Sequence, residues 1–242
     1  MKKIFYIFVL LLCITSVSNA QKLLPFSPSL QLLIKGGYST PLSGGTYSNS
    51  IENGGNFADY FKAFPGGQIE AVVNLSSSFG IYGNASYDII APKEQRGGVP
   101  YSEDNAAQFS LYAGPRYYYD IPLMPVSIYT DVGLGIYSIK YGDYQQTLAG
   151  NPTVTDNFKY SSVTQFGFSA GAGVNISTSP FTILNFSVKY HNVLKKTGVT
   201  FVESHTQTVN GVSSTTSTSN PYDIAERGYV QFSLGFGVKL GM

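Results

Sequence analysis

Residue types that many enzymes and soluble domains depend on are scarce in this sequence. Its 242 residues include one cysteine, two histidines and no tryptophan, and only 12% of them are charged. Soluble domains carry about twice that share of charge, so a soluble fold would lack the polar side chains to cover its surface. Because the only cysteine is Cys13 and the only histidines are His191 and His205, we expect no disulfide, no thiol catalysis, no metal site and no cofactor.

Residues 1–20 have the pattern of a secretory signal. Lys2 and Lys3 precede an apolar stretch over residues 4–14, and the small residues Ser18 and Ala20 then offer a cleavage site. The apolar stretch of about 11 residues is shorter than the roughly 20 that a membrane-spanning helix needs. We therefore expect residues 1–20 to be removed and residues 21–242 to form one domain.

Removal of this segment would leave the chain close to neutral. Without Lys2 and Lys3, the 15 basic residues become 13 against 14 acidic ones, a net charge of −1. Such a chain has no electrostatic reason to bind nucleic acid. What the chain does have is aromatic residues, which make up 14% of it.

Alternation of apolar and polar residues predicts eight strands. The last strand shows it most clearly, because Val230, Phe232, Leu234, Phe236, Val238 and Leu240 are separated by polar residues or glycine. The predicted strands cover residues 30–38, 68–75, 79–89, 107–119, 126–140, 163–176, 181–192 and 230–240. Several are as long as the roughly 9 to 11 residues of a tilted membrane strand, whereas soluble strands average about 5 to 6.

The connections between these strands alternate strictly between short and long. Short ones cover residues 76–78, 120–125 and 177–180, and long ones cover residues 39–65, 91–105, 141–159 and 193–227. All short turns then lie at one end of the sheet and all long loops at the other, as in outer-membrane barrels. We expect the Ser- and Thr-rich fourth loop to be mobile, and a bulge at Gly114-Pro115, because proline removes a ladder hydrogen bond there.

Together these features predict an all-β fold, an eight-stranded antiparallel up-and-down transmembrane β-barrel. Closing the last strand onto the first removes both sheet edges, which the bilayer core requires. The chain resembles the outer-membrane β-barrel domain family, the eight-stranded porin-like barrels of the OmpA and OmpX type, over residues 30–242. The resemblance implies a location in the outer membrane of a Gram-negative bacterium, with outer-membrane lipid around the barrel.

The predicted inward faces carry charges, tyrosines and glycines. We expect two structural ion pairs inside the lumen, Arg116 with Asp131 and Lys35 with Glu70, because a lone buried charge costs several kcal/mol. Glycine pairs at 133/135, 171/173 and 235/237 are expected to leave room for Tyr82, Tyr112, Tyr118 and Tyr129. Tyrosines near strand ends are expected to form girdles at the membrane interfaces: Tyr38, Tyr87, Tyr117, Tyr119, Tyr141, Tyr190 and Tyr229.

For function, the sequence favours a non-enzymatic, monomeric membrane protein whose long external loops stabilise the envelope or contact an extracellular or envelope partner. The alternative is a barrel that binds or transports a small apolar ligand through its aromatic lumen. A lipid-modifying hydrolase built on His191, His205 and Glu203 has the least support, because no nucleophile motif accompanies them and histidines at a loop edge are usually solvated.

Overall fold

A closed barrel and a smaller sheet make up the fold. The computed structural model describes residues 29–42, 62–91, 101–103, 105–140, 142–148, 154–224 and 226–241. Eight strands form the closed antiparallel barrel: β1 (Ser29–Pro41), β2 (Phe64–Asn74), β3 (Phe79–Ile90), β5 (Ala106–Asp120), β6 (Val126–Lys140), β9 (Val163–Ser177), β10 (Thr182–Val193) and β13 (Arg227–Gly241). Each pairs with the next barrel strand along the chain, and β13 returns to β1. The predicted eight-stranded up-and-down barrel is confirmed, while the predicted signal at residues 1–20 lies outside the described residues.

All eight predicted strands are present, and their bounds differ from the predicted ones by at most four residues. Backbone hydrogen bonds close the short turns, for example from Leu75 N to the Phe79 carbonyl at 2.9 Å and from Ile121 N to the Val126 carbonyl at 2.9 Å. We call the end of the barrel that carries these turns the short-turn end, and the opposite end the long-loop end.

The barrel is apolar outside and polar inside. Successive side chains of a strand point to opposite faces, so Ile34 is 72% exposed on the outer face while its neighbour Lys35 is 2% exposed in the lumen. Leu134 and Phe166, also on the outer face, are 76% and 75% exposed. Within the described residues, no helix is long and apolar enough to cross a membrane.

Small residues lie beside large ones in the lumen, on neighbouring strands, and leave room for them as predicted. Tyr82, Tyr112, Tyr118 and Tyr129 are all buried there. A Cβ added at Gly173 would overlap the Tyr129 ring, and one added at Gly235 would lie 2.6 Å from Cγ of Lys35. The glycines are therefore needed for the space that they leave, because any side chain at these positions would displace a lumen side chain.

The tyrosine girdle prediction is partly wrong. Five of the seven residues are exposed on the outer face, by 36% to 62%: Tyr38, Tyr87, Tyr117, Tyr119 and Tyr190. Tyr229, however, is 1% exposed and faces the lumen. It lies two residues before Gln231 on β13, so both side chains point to the same, inner face. Tyr141 lies outside the described residues.

The predicted bulge at Gly114-Pro115 is also wrong. Pairing of β5 with β6 is interrupted at these two residues, but Ala113 pairs with Leu134 and Arg116 with Asp131, so two residues lie on each side and none is inserted. The proline lacks the donor that the ladder would use. Gly114 is required beside it, since an added Cβ would overlap the Val132 carbonyl oxygen.

The long loops contain a second sheet that was not predicted from the sequence. Its five strands are β4 (Tyr101–Glu103), β7 (Tyr144–Leu148), β8 (Val154–Tyr160), β11 (Lys196–Val209) and β12 (Val212–Ile224), and they lie in the order β12-β11-β8-β7-β4. We call it the loop sheet. The fourth loop, predicted to be mobile, is the β11–β12 hairpin, and its turn is Asn210-Gly211, whose φ angles are 50° and 79°. Both residue types tolerate this left-handed backbone, which a two-residue hairpin turn requires.

Candidate functional site

The centre of the lumen holds an ion cluster of five side chains from five strands. The four predicted residues are brought together here: Lys35 from β1, Glu70 from β2, Arg116 from β5 and Asp131 from β6. Lys189 from β10 joins them. Its three cations and two carboxylates are all buried.

Arg116 links the two carboxylates of the cluster. Its Nη1 donates to Glu70 Oε1 at 2.8 Å, while Nη2 and Nε donate to Asp131 Oδ2 at 2.7 and 3.1 Å. Arg116 pairs directly with Asp131 in the ladder. Pairing centred on the turn at residues 121–123 would instead predict Tyr129 opposite Arg116, with Asp131 one diagonal step away. The bond to Glu70 was not predicted, because β2 and β5 are separated by β3 and meet only across the lumen.

The two lysines complete the cluster. Lys35 Nζ lies 2.9 Å from Glu70 Oε1 on the neighbouring strand. Lys189 Nζ lies 3.2 Å from Asp131 Oδ1, as an ion pair without hydrogen-bond geometry. Each carboxylate therefore contacts two cations, which offsets the cost of removing five charges from water.

Tyrosine rings surround the cations. The Arg116 guanidinium lies 4.0 Å from the centroid of the Tyr129 ring and 4.8 Å from that of Tyr82. Lys189 Nζ lies 4.2 Å from the Tyr82 centroid. These distances are within the range of cation–π attraction, so the rings stabilise the cations and also fill the cross-section around them.

A hydrogen-bonded polar layer lies between the ion cluster and the long-loop end. Arg227 donates to the side-chain oxygens of Gln165 and Gln108, and Gln108 donates to the Tyr229 hydroxyl at 3.0 Å. Arg227 was predicted to end the fourth loop, but it is 1% exposed in the lumen. Its even spacing from Tyr229 and Gln231, whose side chains also point inward, was the signal that could have placed it there.

His191 belongs to the same layer, contrary to the prediction that it is solvated. It is 1% exposed, its Nδ1 lies 3.0 Å from the Tyr137 hydroxyl, and its ring stacks on Tyr229 with 4.6 Å between centroids. His205 lies in β11 of the loop sheet, on a different sheet from His191. The two histidines that the hydrolase hypothesis combined are therefore not on one sheet.

An apolar cluster closes the lumen at the long-loop end. Its members are fully buried and come from six barrel strands: Phe64, Ile90, Ala106, Tyr137, Ile139, Val193 and Tyr229. From the middle of the barrel to this end, the lumen is thus filled by the ion cluster, the polar layer and the apolar cluster in turn. We call these three layers together the plug.

The described part of the chain contains no group of three or more His, Cys, Asp or Glu side chains placed to hold a metal ion. In the plug, each carboxylate of the ion cluster is held by cations of the protein itself. The chemistry that this arrangement supports best is mutual neutralisation of buried charges.

Comparisons with known proteins address the fold. No family model matches the sequence, and no curated protein does so either. Among solved structures, the chain is similar to a major outer membrane protein from Thermus thermophilus, with 13% identity, coverage of 87% of this chain and 99% of that one, and a TM-score of 0.50. It is also similar to the outer membrane protein OprG from Pseudomonas aeruginosa, with 14% identity, coverage of 90% of this chain and 99% of that one, and a TM-score of 0.47. For Neisserial surface protein A the identity is 14%, the coverage is 88% of this chain and 97% of that one, and the TM-score is 0.46. The chain thus has the fold of the outer-membrane β-barrels.

Proposed function

We propose that this protein is an integral outer-membrane protein of a Gram-negative bacterium that acts without catalysis. In this proposal the barrel is a closed anchor, and the loop sheet is the part that contacts a surface or envelope partner. The observation that carries the proposal is the plug, which fills the lumen from the middle of the barrel to the long-loop end, together with a loop sheet that extends the fold beyond the barrel.

The outer face supports the membrane location. Residues such as Ile34, Leu134 and Phe166 are largely exposed, and an apolar outer surface of this kind is stable when lipid covers it. Barrel strands of 11 to 15 residues are long enough to cross a bilayer at the usual tilt. In outer-membrane barrels short turns face the periplasm and long loops face outward, so we place the loop sheet outside the cell.

The plug argues against general transport. Eight strands enclose only enough space for side chains or one small ligand, and here buried charges and tyrosines occupy that space. A small apolar ligand would have to displace Arg116 from two carboxylates, which would leave those charges unpaired in a medium of low dielectric constant. We therefore favour the anchor over the ligand-transporting barrel.

The loop sheet offers the surface for contacts. The β11–β12 hairpin presents hydroxyl side chains paired across its strands, with Ser204 Oγ 3.1 Å from Ser217 Oγ and Thr206 Oγ1 2.8 Å from Thr215 Oγ1. Residues 211–219 are exposed. β12 also forms an edge of the loop sheet as the structure describes it, and sheet edges can form hydrogen bonds with a partner strand.

The experiment is to replace residues 196–224 by a short turn and compare cells carrying the shortened protein with cells carrying the full chain and with cells lacking the protein. A surface-contact role predicts that the shortened protein behaves like its absence in adhesion to host or abiotic surfaces. Wild-type adhesion by the shortened protein, with loss only in cells that lack the barrel, would support the envelope-structural role instead.

Single cysteines serve as the assembly control for this experiment. A membrane-impermeant maleimide should label Thr215→Cys on intact cells and Ser77→Cys only after permeabilisation. Equal labelling of both on intact cells would contradict the proposed orientation and the outer-membrane location together.

A further inference from the structure

A groove lies in the outer face of the barrel, in the half near the long-loop end. Its volume is about 570 Å³, within the roughly 300 to 1,000 Å³ typical of small-molecule sites. The outward-facing residues that line it come from four neighbouring strands and are all apolar or aromatic: Ile34, Pro65, Gly67, Ile69, Ala85, Tyr87, Ile89 and Phe109. We call it the outer groove.

The register of the strands explains the shape of the outer groove. Gly67 of β2 pairs with Tyr87 of β3, and Ala85, two residues earlier on β3, pairs with Ile69 of β2. The two small residues are therefore diagonal neighbours on the outer face, with Ile69 on one side of the diagonal and Tyr87 on the other. Phe109 pairs with Tyr87 and extends the aromatic wall across β5.

The packing of the chain itself does not require glycine at position 67. A Cβ added there would meet no atom of the described residues within 4 Å, whereas one added at Gly173 or Gly235 would overlap or crowd a lumen side chain. Gly67 also lacks the positive φ that Gly211 has. Glycine weakens a strand and often marks a place where another molecule approaches the backbone closely. The space above Gly67 is therefore open to the surroundings of the barrel.

The position of the outer groove determines what can occupy it. Ile34, Ile69 and Tyr87 at its sides are 72%, 63% and 54% exposed, so the groove lies within the apolar face that we assign to the membrane. The bilayer core holds no water that could fill the space. A hydrocarbon chain matches an apolar lining of this kind, because it gains van der Waals contacts along its whole length.

We propose that the outer groove binds one acyl chain of a bilayer lipid, in the leaflet on the long-loop side. This inference rests on the membrane location in the proposed function, but not on the role of the loop sheet. Because lipid tails are as apolar as the groove, the chain is held by close packing and not by the hydrophobic effect. The Tyr87 ring packs against the chain, with its hydroxyl available to the polar headgroup region.

The chain offers two matched reporter positions, because it contains no tryptophan. Phe109 and Phe166 are each the fourth residue of a strand that begins at the long-loop end, and both lie on the outer face. Of the two, only Phe109 lines the groove. Phe109→Trp and Phe166→Trp are purified in detergent and titrated with a phosphatidylethanolamine whose acyl chains carry bromine, which quenches tryptophan fluorescence on contact. The shift in gel mobility between heated and unheated samples checks that each variant is folded.

Two glycine variants, each combined with Phe109→Trp, test whether the groove is responsible. Gly67→Leu places a side chain in the groove. Gly83→Leu is the control, because Gly83 also lies on the outer face of β3 and a Cβ added there also meets nothing within 4 Å. Gly83 does not line the groove, so its replacement leaves the groove open.

We expect half-maximal quenching of Phe109→Trp at a lipid concentration about fivefold below that for Phe166→Trp, which corresponds to about 1 kcal/mol. Gly67→Leu should remove this difference, and Gly83→Leu should keep it. Equal quenching at the two reporters, or equal effects of the two leucines, would overturn the proposal and leave the membrane location intact. Quenching of neither reporter would contradict the membrane location as well. Dimerisation of the wild type that Gly67→Leu abolishes, seen by chemical cross-linking, would overturn the proposal in favour of a second copy in the groove.

Discussion

Arg116 is the cation of the ion cluster that contacts both carboxylates, whereas each lysine contacts one. It bonds to Glu70 and Asp131, and the rings of Tyr82 and Tyr129 lie 4.8 and 4.0 Å from its guanidinium carbon. Removing one partner of a buried ion pair leaves the other charge buried and unpaired, which is costlier than removing both. The cluster therefore couples the stability of strands that are not neighbours in the sheet.

Arg116→Ala should lower the free energy of unfolding by about 3 to 5 kcal/mol. Adding Asp131→Ala should recover part of this loss, though not all, because Glu70 keeps only Lys35 and Lys189 keeps no carboxylate at ion-pair distance. Urea unfolding from lipid vesicles measures the free energy of unfolding of the wild type, the two single variants and the double variant, which together form the double-mutant cycle. Lys239→Ala, a partly exposed residue near the short-turn end, is the control and should change stability by less than about 0.5 kcal/mol.

Simple additivity of the two substitutions would contradict the structural role assigned to the ion cluster. In that case the charges act independently, and a role in binding would replace the role in stability.

Glycine substitutions test the packing of the lumen in the same way. Gly173→Ala should cost about 1 to 3 kcal/mol, the usual effect of overpacking, because the new Cβ would overlap the Tyr129 ring and lie 2.6 Å from the Phe186 carbonyl oxygen. Gly36→Ala is the matched control on the outer face, where nothing lies within 4 Å of an added Cβ. It should be neutral or stabilising by up to about 1 kcal/mol, as expected for a glycine in an unstrained conformation. Equal costs for both variants would show that backbone conformation, not lumen packing, selects glycine.

The sequence identifies which residues face the lumen but not their positions along the barrel axis. Alternation was sufficient to bring Arg116 and Asp131 to one face of adjacent strands. The register of β5 and β6 depends on the turn between them, where Leu123 has a φ of 67°. Leucine rarely adopts this conformation, and no residue of the turn predicts it from the sequence. Contacts across the lumen, such as Arg116 to Glu70, further depend on the tilt and closure of the barrel.

At the scale of single elements, the β11–β12 hairpin shows what composition alone misses. A segment rich in Ser and Thr was predicted to be mobile because its residues bury little apolar surface. The dipeptide Asn210-Gly211 between Val209 and Val212 was nevertheless a readable hairpin signal, and the structure has a two-residue turn there. The barrel strands were predictable because their alternation is sustained over most of their length, whereas β4, with three residues, is too short for any periodicity to show.

The hairpin turn can be tested separately from the barrel. Gly211→Val should destabilise the hairpin by about 1 to 2 kcal/mol, because a β-branched residue is strained at the φ of 79° found here. Limited proteolysis should then cleave within residues 196–224 faster than in the wild type, while the barrel stays protected. Ser214→Val introduces the same side chain at a strand position, where valine is favourable, and should not increase cleavage. If both variants were cleaved at the wild-type rate, the turn conformation would not control the hairpin.

At the scale of the whole molecule, the two ends of the barrel differ. The long-loop end is closed by the apolar cluster and extended by the loop sheet, whereas the short-turn end contains a polar cavity of about 370 Å³. The strict alternation of short and long connections predicted which end carries the short turns and which the long loops, but not which end is closed. The plug that separates the two ends is what distinguishes an anchor from a channel, and it is formed by the barrel strands, not by the loops.

Conductance of the purified protein in planar bilayers tests the closed lumen most directly. We expect the full chain to show no steady conductance, because the ion cluster, the polar layer and the apolar cluster fill the barrel from its middle to the long-loop end. The variant that lacks residues 196–224 should also show no steady conductance, since the plug does not include the loop sheet. Large, stable, porin-like steps from the full chain would contradict the account.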